Sequence, residues 1–336
     1  DNSLLPVWIE FSKQSSKYKP GECPRLWKKM KGDGISIKSL YYWAKCDNII
    51  AFNNIMNQEC NNLLEKSIVG NTLTIAKAIY VCYHDMFICS SFKNKLWWEY
   101  KNHKWNVSEG GIGLMKKIGE EFVNKYITFG SELQLKASTA VGLEKQKLLA
   151  QAQTVIKISQ QILNIKFRES LMKECTILFH DSNFEKNLDE KYHLIGFNNG
   201  VYDLEKEEFR DGNPGDYISL SCNINYEDYD ASSSIAKKIM KFLQQIHPNK
   251  NVLTYLLTLL STYIHGENKE EKLHLFTGCG SNGKSVLCEL MSLAMGDYYI
   301  SPPITIFTRK RGSSGQATPE LAQIKGKRIG ICQEPE

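Results

Sequence analysis

An α/β protein is the fold class this sequence predicts: a parallel sheet with helices on its faces near the C-terminal end, preceded by a mixed α+β region and a small helical region. Three observations predict it. A strand at Leu273–Thr277, a glycine loop at Gly278–Gly283 and an apolar helix at Lys284–Met295 follow one another, a second apolar strand is expected at Arg328–Cys332, and aromatic hairpin patterns alternate with helical periodicity upstream. The 336 residues suggest about two domains or three small ones, and the 42% hydrophobic and 24% charged content is ordinary for a soluble globular chain.

Residues 1–60 read as a helical module in which Trp8, Phe11, Tyr18, Trp27, Leu40, Tyr42 and Trp43 are interleaved with lysines and arginines. Ser36 is placed to cap a helix starting near Ile37, and Lys17–Gly21 reads as a turn. Asn71–Ser91 reads as a helix with Asn71 or Thr72 as its cap. Leu96–Trp98 and His103–Trp105 read as the strands of a hairpin, because aromatic residues flank a polar turn. Helical periodicity resumes over Glu109–Phe122 and continues through 131–178, where Gly142 is expected to divide two helices. Leu148, Ala152, Val155 and Ile162 mark the buried stripe of that region, as intramolecular core or as a subunit contact.

Strand character returns at His193–Phe197 and Gly200–Leu204, on either side of Asn198-Asn199, and at Glu208–Arg210 and Tyr217–Cys222, on either side of the GNPGD turn at 212–216. Helices are expected over Ile235–Ile246 and Asn251–His265, with Pro248 between them. The domain boundaries read this way are 1–60, 61–265 and 266–336.

Composition narrows the function classes. The formal net charge of +5 fits a polyanionic partner without requiring one. Ten cysteines are scattered with no CxxC pair and no zinc-ligand spacing, which suits free thiols in a reducing compartment. The apolar run Val252–Ile264 is too short to span a bilayer, and the start DNSLLPVWIEFSK has no secretory pattern. Asn106-Val107-Ser108 is a formal glycosylation sequon that a cytosolic chain would not use. The absence of an initial Met, and an end at QEPE directly after an expected core strand, read as an excerpt of a longer protein.

The chemistry concentrates at Gly278-Cys279-Gly280-Ser281-Asn282-Gly283-Lys284-Ser285, a full match to G-x-x-x-x-G-K-[ST]. Glycines let the backbone turn so that successive N–H groups face phosphates, and the helix opening at Lys284 aims its positive dipole end at the same anion. Lys284 is expected to reach the β- and γ-phosphates, and the Ser285 hydroxyl to ligate Mg²⁺. The strand expected at 328–332 leads to Glu334, a carboxylate positioned to polarise water or to hold the metal, with Glu336 as a second candidate. Between the glycine loop and that strand, Arg309, Lys310 and Arg311 precede a Gly/Ser stretch, as DNA contacts or as a solvated loop. His84-Asp85 and His180-Asp181 read as structural, since adjacency in sequence is no catalytic triad.

These motifs resemble superfamily 3 helicases. GCGSNGKS (278–285), MGDYY (295–299) and TRKRGSSGQATPELAQIKGKRIGICQEPE (308–336) are similar to the poxvirus-type helicase-primase of nucleocytoplasmic large DNA viruses, with phage and plasmid primase-helicases as relatives. GFNNGVYDLEKEEFRDGNPGDYISLS (196–221) resembles the domain that precedes the helicase in this family, and residues 7–48, with FSKQSSKY and SLYYWAK, resemble its primase C-terminal module. The resemblance implies a truncated AAA+-like helicase core of P-loop type, which uses ATP and Mg²⁺. It also implies a hexameric ring that pulls single-stranded DNA, 3′ to 5′, through a basic pore, with a primase domain on the same polypeptide. Residues 278–285 then correspond to Walker A and Glu334 to the Walker B acid, while Gln333 stands where many P-loop enzymes have Asp. The sensor residue, the arginine finger and the DNA-gripping hairpin of the family would follow Glu336, so the piece alone is expected to bind nucleotide weakly and turn it over slowly. The expected setting is the host cytoplasm, in a viral replication factory, or the nucleus, with no membrane partner. The competing reading is a collar and DNA-binding module without catalysis of its own; a P-loop kinase is disfavoured because no arginine lid is visible.

Overall fold

The computed structural model describes residues 4–13, 18–29, 41, 43–45, 47–69, 71–267, 271–308 and 323–332. The helix expected from Ile37, Lys17, Arg309, Lys310, Arg311, Gln333, Glu334 and Glu336 lie outside the described residues. The chain divides into two compact units, residues 1–55 and 56–336. In the first, α1 (Leu4–Ser12) and α2 (Glu22–Lys29) meet through the rings of Trp8 and Trp27, 5.8 Å apart. Pro20 and Gly21 turn the chain before α2, with Gly21 at φ 81°.

The second unit takes up the rest of α3 (Ile49–Lys66), then α4 (Thr72–Tyr83). Asn71 caps α4 by accepting the Leu73 N–H at 2.9 Å, as its residue type suggests. The helix stops at Tyr83, eight residues short of the expected end. Phe87–Ser91 forms β1 instead, paired antiparallel with β2 (Leu96–Lys101), which pairs in turn with β3 (Lys104–Glu109). Phe87, Ile88 and Cys89 are all buried, so this strand carries no alternation to distinguish it from a buried helix. The β2–β3 hairpin is confirmed, with Asn102 and His103 in the left-handed region at its turn (φ 54° and 62°).

Helical structure resumes three residues later than expected, with α5 (Ile112–Lys117), and passes through a π-helical turn over Ile118–Phe122 into α6 (Val123–Thr139). Gly142, at φ 64°, marks the expected division and opens α7 (Gly142–Leu163). A further break at Asn164, whose side chain caps α8 (Ile165–Leu178), went unread in the sequence. Ala152, Val155 and Ile162 lie in the core that α3 to α8 share with β1 and β2, with Leu148 packed against it, so the stripe is intramolecular. Trp97, Tyr126, Phe87 and Phe122 are its largest fully buried side chains.

A short helix α9 (Phe184–Asn187) leads to a second antiparallel sheet, β4 (Leu194–Phe197), β5 (Gly200–Asp203) and β6 (Glu208–Arg210). The hairpin around Asn198-Asn199 is as expected. In the GNPGD turn, Asn213 and Asp216 cap each other across a 3₁₀ turn, and Arg210 grips Asp216 with two bonds of 2.9 Å. Tyr217–Cys222 is not a strand. Its backbone is bonded to four separate stretches of chain: Trp105 N donates to Ile218 O, Asp189 N to Tyr217 O, Cys222 N to Gly196 O and Asp297 N to Ser221 O. A ladder would need one continuous neighbour, and this segment instead laces four together.

Ser233 and Asn249 cap α10 (Ser234–Ile246) and α11 (Lys250–Ile264), close to the expected bounds. Leu253, Leu256 and Leu259 bury one face of α11, and no described helix is long and apolar enough to cross a membrane. The last part of the unit holds α12 (Lys284–Met295), β7 (Tyr299–Ile300), a short helix α13 (Thr305–Thr308) and β8 (Ile329–Gly330), with β7 and β8 parallel. The expected strand at Leu273–Thr277 does not form: Leu273 is 71% and Leu275 80% exposed, and no described segment pairs with them. An apolar run becomes a strand only when a neighbour takes its N–H and C=O groups. The chain is thus helix-rich with two small antiparallel sheets, and the parallel sheet among the described residues has two strands.

All nine described cysteines are free, and five of them are buried. Cys60 and Cys82 meet at 3.1 Å between sulfurs; the hydrogen bond from Cys82 draws the Cys60 thiol down to about 7 and holds Cys82 well above its ordinary value.

Candidate nucleotide-binding site

The loop 278–283 and the first turn of α12 form the candidate site. Gly283 is the N-cap of α12 at φ 82°, in the left-handed region, and offers the helix no side-chain cap. The amides of the first turn are therefore left without a capping side chain, at the end of the helix where the dipole favours an anion. A Cβ on Gly283 would lie 2.8 Å from Cγ1 and Cδ1 of Ile246 at the end of α10. Both the backbone angle and the close approach of Ile246 require glycine there. Gly283→Ala is expected to destabilise the unit by about 1–3 kcal/mol, read as a lowered midpoint in chemical denaturation; an unchanged midpoint would show that the loop relaxes freely.

Lys284 directs its ammonium back over the loop. Its Nζ donates to Gly278 O at 3.0 Å, Asn282 Oδ1 at 2.9 Å and Cys279 O at 3.4 Å. Gly278 leaves room for this contact, since a Cβ there would stand 2.3 Å from Asn282 Nδ2. Cys279, Gly280, Ser281, Asn282 and Ser285 are exposed, and Ser281 has φ 59°. The motif residues 278–285 are thus brought together as one exposed loop with its lysine folded across it.

Packing fixes the helix behind the loop. Leu287 sits in a cluster with Leu243 of α10 and Leu253 and Leu256 of α11. Met291 and Met295 sit in another with Ile195 of β4, Cys222, Tyr298 and Ile329 of β8. One helix therefore carries the loop at its head and the parallel strands at its foot. Tyr298 is buried; it accepts the Gly196 N–H at 2.9 Å and donates to Leu220 O at 3.0 Å, and burial pushes its pKa up.

Arg328 precedes β8. Its guanidinium donates to Leu194 O at 2.6 Å and to Ile264 O, and lies 4.8 Å from the centre of the Tyr298 ring. Burial lowers its pKa. Sequence reasoning gave Arg328 no role; the available signal was a cation at the head of an apolar strand, which needs acceptors when that strand is packed. β7, the parallel partner of β8, follows α12 after a 3₁₀ turn at Gly296–Tyr298.

Among the described residues no three His, Cys, Asp or Glu side chains gather to hold a metal. Mg²⁺ bound with a triphosphate needs few protein ligands, since phosphate oxygens and water complete its shell, and the exposed hydroxyl of Ser285 at the helix start fits that requirement. In the two His-Asp pairs, the His84 and His180 rings hold the backbone carbonyls of Val81 and Cys89 through Nδ1, at 3.3 and 3.0 Å.

Residues 76–248 match the family described as D5 N terminal like, and residues 1–44 match Primase C terminal 2. The chain is 38% identical over its whole length to "Putative helicase L207/L206" of Acanthamoeba polyphaga mimivirus. It is 26% identical over 98% of its length to "Putative helicase 121R" of Invertebrate iridescent virus 3. It is 24% identical over 98% of its length to "Putative primase C962R" of African swine fever virus (isolate Tick/Malawi/Lil 20-1/1983). The chain spans 35–39% of the length of these curated relatives. With a D5-type match over half of the chain and a primase module ahead of it, the chain belongs to the D5 N terminal like family, the helicase-primase family of nucleocytoplasmic large DNA viruses.

Proposed function

We propose that this chain is part of a replicative, ATP-dependent DNA helicase with an attached primase, and that residues 278–285 hold the triphosphate. One observation carries the reading: a glycine-headed, uncapped helix start with the Lys284 ammonium folded across the loop. Amides, dipole and ammonium then converge on one anion. ATP with Mg²⁺ is the ligand this reading requires: Lys284 would exchange its loop acceptors for the β- and γ-phosphates, and Ser285 would contribute its hydroxyl to the metal. Glu334 is the proposed Walker B acid, at the end of the segment that β8 begins. Arg309, Lys310 and Arg311 are proposed DNA contacts. Self-association into a ring, with single-stranded DNA or a replication fork as substrate, completes the proposal. The relatives' names as helicases and primases support it.

The test is ATP hydrolysis by the full-length protein with and without single-stranded DNA, together with strand displacement from a forked duplex. The expected result is hydrolysis that rises several-fold with single-stranded DNA and drives displacement. Hydrolysis indifferent to DNA, with no displacement, would overturn the helicase reading.

A further inference from the structure

The helix α10 carries a surface that the nucleotide site does not use. Its buried face, Met240 and Leu243, packs on α11 and α12, and Ile246 lies under Gly283. On its outer side Lys237, Lys238 and Lys241 are exposed, and Gln244 and Gln245 follow them one turn on. At 100° per residue these five side chains fall on one continuous face, with Lys237 and Lys241 about 6 Å apart along the axis.

This arrangement works against the helix itself. The sequence SIAKKIMKFLQQI contains no carboxylate, and none of the three lysines forms an ion pair with another described residue. Lysines spaced by three and four residues repel each other. Lys237 also stands at the end of the first turn, where the macrodipole mildly disfavours a cation. A bound polyanion would remove both penalties together.

We infer that the Lys237–Lys238–Lys241 face of α10 binds the phosphate backbone of single-stranded nucleic acid. The inference rests on the proposed function and deepens it by naming a contact surface. Amide side chains next to cations are the usual company of phosphate oxygens and exposed base edges. An anionic bilayer fits less well, because the apolar face such a helix would insert is already buried in the protein. Ile235 and Ile239 are exposed beside the lysine face but give only two apolar side chains. Because α10 and α12 share one apolar cluster, a strand held on this face would sit on the same packed assembly as the nucleotide loop.

The test is the salt dependence of single-stranded oligonucleotide binding by the full-length protein, followed by fluorescence anisotropy. The wild type is compared with Lys237→Gln/Lys238→Gln/Lys241→Gln. A control with the same charge change, Lys145→Gln/Lys147→Gln/Lys157→Gln, alters exposed lysines of α7. Each phosphate neutralised on a single strand contributes about 0.7 to the log–log salt slope, so the α10 variant is expected to lose about 2 from it, with the control unchanged. Thermal unfolding of the control should match the wild type, and that of the α10 variant should match or slightly exceed it, because its lysine repulsion is removed. An α10 slope equal to wild type, or an equal loss in the control, overturns the surface assignment while leaving the helicase reading standing. Loss confined to binding of vesicles containing phosphatidylserine, with oligonucleotide binding intact, also overturns it. Absence of oligonucleotide binding by the wild type itself defeats the proposed function and this inference together.

Discussion

Lys284→Ala is expected to lower ATP hydrolysis by the full-length protein by about 100-fold or more, with no loss of thermal stability. The scale follows from removing one preorganised donor from a site where charge develops on the transferring group. The fold should survive because the Lys284 ammonium bonds only to the loop itself, through Gly278 O, Cys279 O and Asn282 Oδ1. The helix behind it is held by Leu287, Met291 and Met295, which the substitution leaves in place. Steady-state hydrolysis and a melting curve on the same preparation check both halves. Wild-type turnover in the variant would remove Lys284 from the site, and a collapsed melting temperature would assign it a structural role instead.

Arg328→Met should do the opposite, acting first on stability. The guanidinium reaches the backbone carbonyls of Leu194 in β4 and Ile264 at the end of α11 while stacking on Tyr298, so one side chain ties three elements to the head of β8. Hydrogen bonds to a charged donor contribute about 1.5–3 kcal/mol each, and carbonyls left without a donor add a desolvation penalty. A loss of about 2–4 kcal/mol is expected for Arg328→Met in chemical denaturation. Arg328→Lys should fall between the two, since an ammonium keeps the charge but loses the planar fork that serves both carbonyls. Equal stability of all three proteins would mean that Arg328 ties nothing together.

Local chemistry was the legible part of this fold. Asn71 announces a helix start because a short polar side chain accepts the orphan amides of a first turn, and it does so here; Ser233 and Asn249 cap α10 and α11 in the same way, though neither was singled out from the sequence. Asn198-Asn199 and GNPGD announce turns for similar reasons. What the sequence hid depends on distant partners. Phe87–Ser91 looks helical until β2 is found to pair with it, and Tyr217–Cys222 looks like a strand until its bonds are followed to four different stretches of chain. The apolar segment Leu273–Thr277 remains unpaired among the described residues, so the sheet expected around the nucleotide loop is represented by β7 and β8. At the candidate site, the glycine loop and Lys284 were readable from spacing alone. Ile246 beneath Gly283 and the Arg328 fork were not, since neither contact leaves a local pattern.

Hydrogen exchange of the full-length protein with and without ATP and Mg²⁺ tests the central claim most directly, because the loop's own amides are the groups said to hold the phosphates. Slowed exchange in the peptides covering 278–290, lost in Lys284→Ala, is the predicted result. Protection that appears elsewhere on nucleotide addition, with these amides exchanging as before, would contradict the assignment of the triphosphate to this loop.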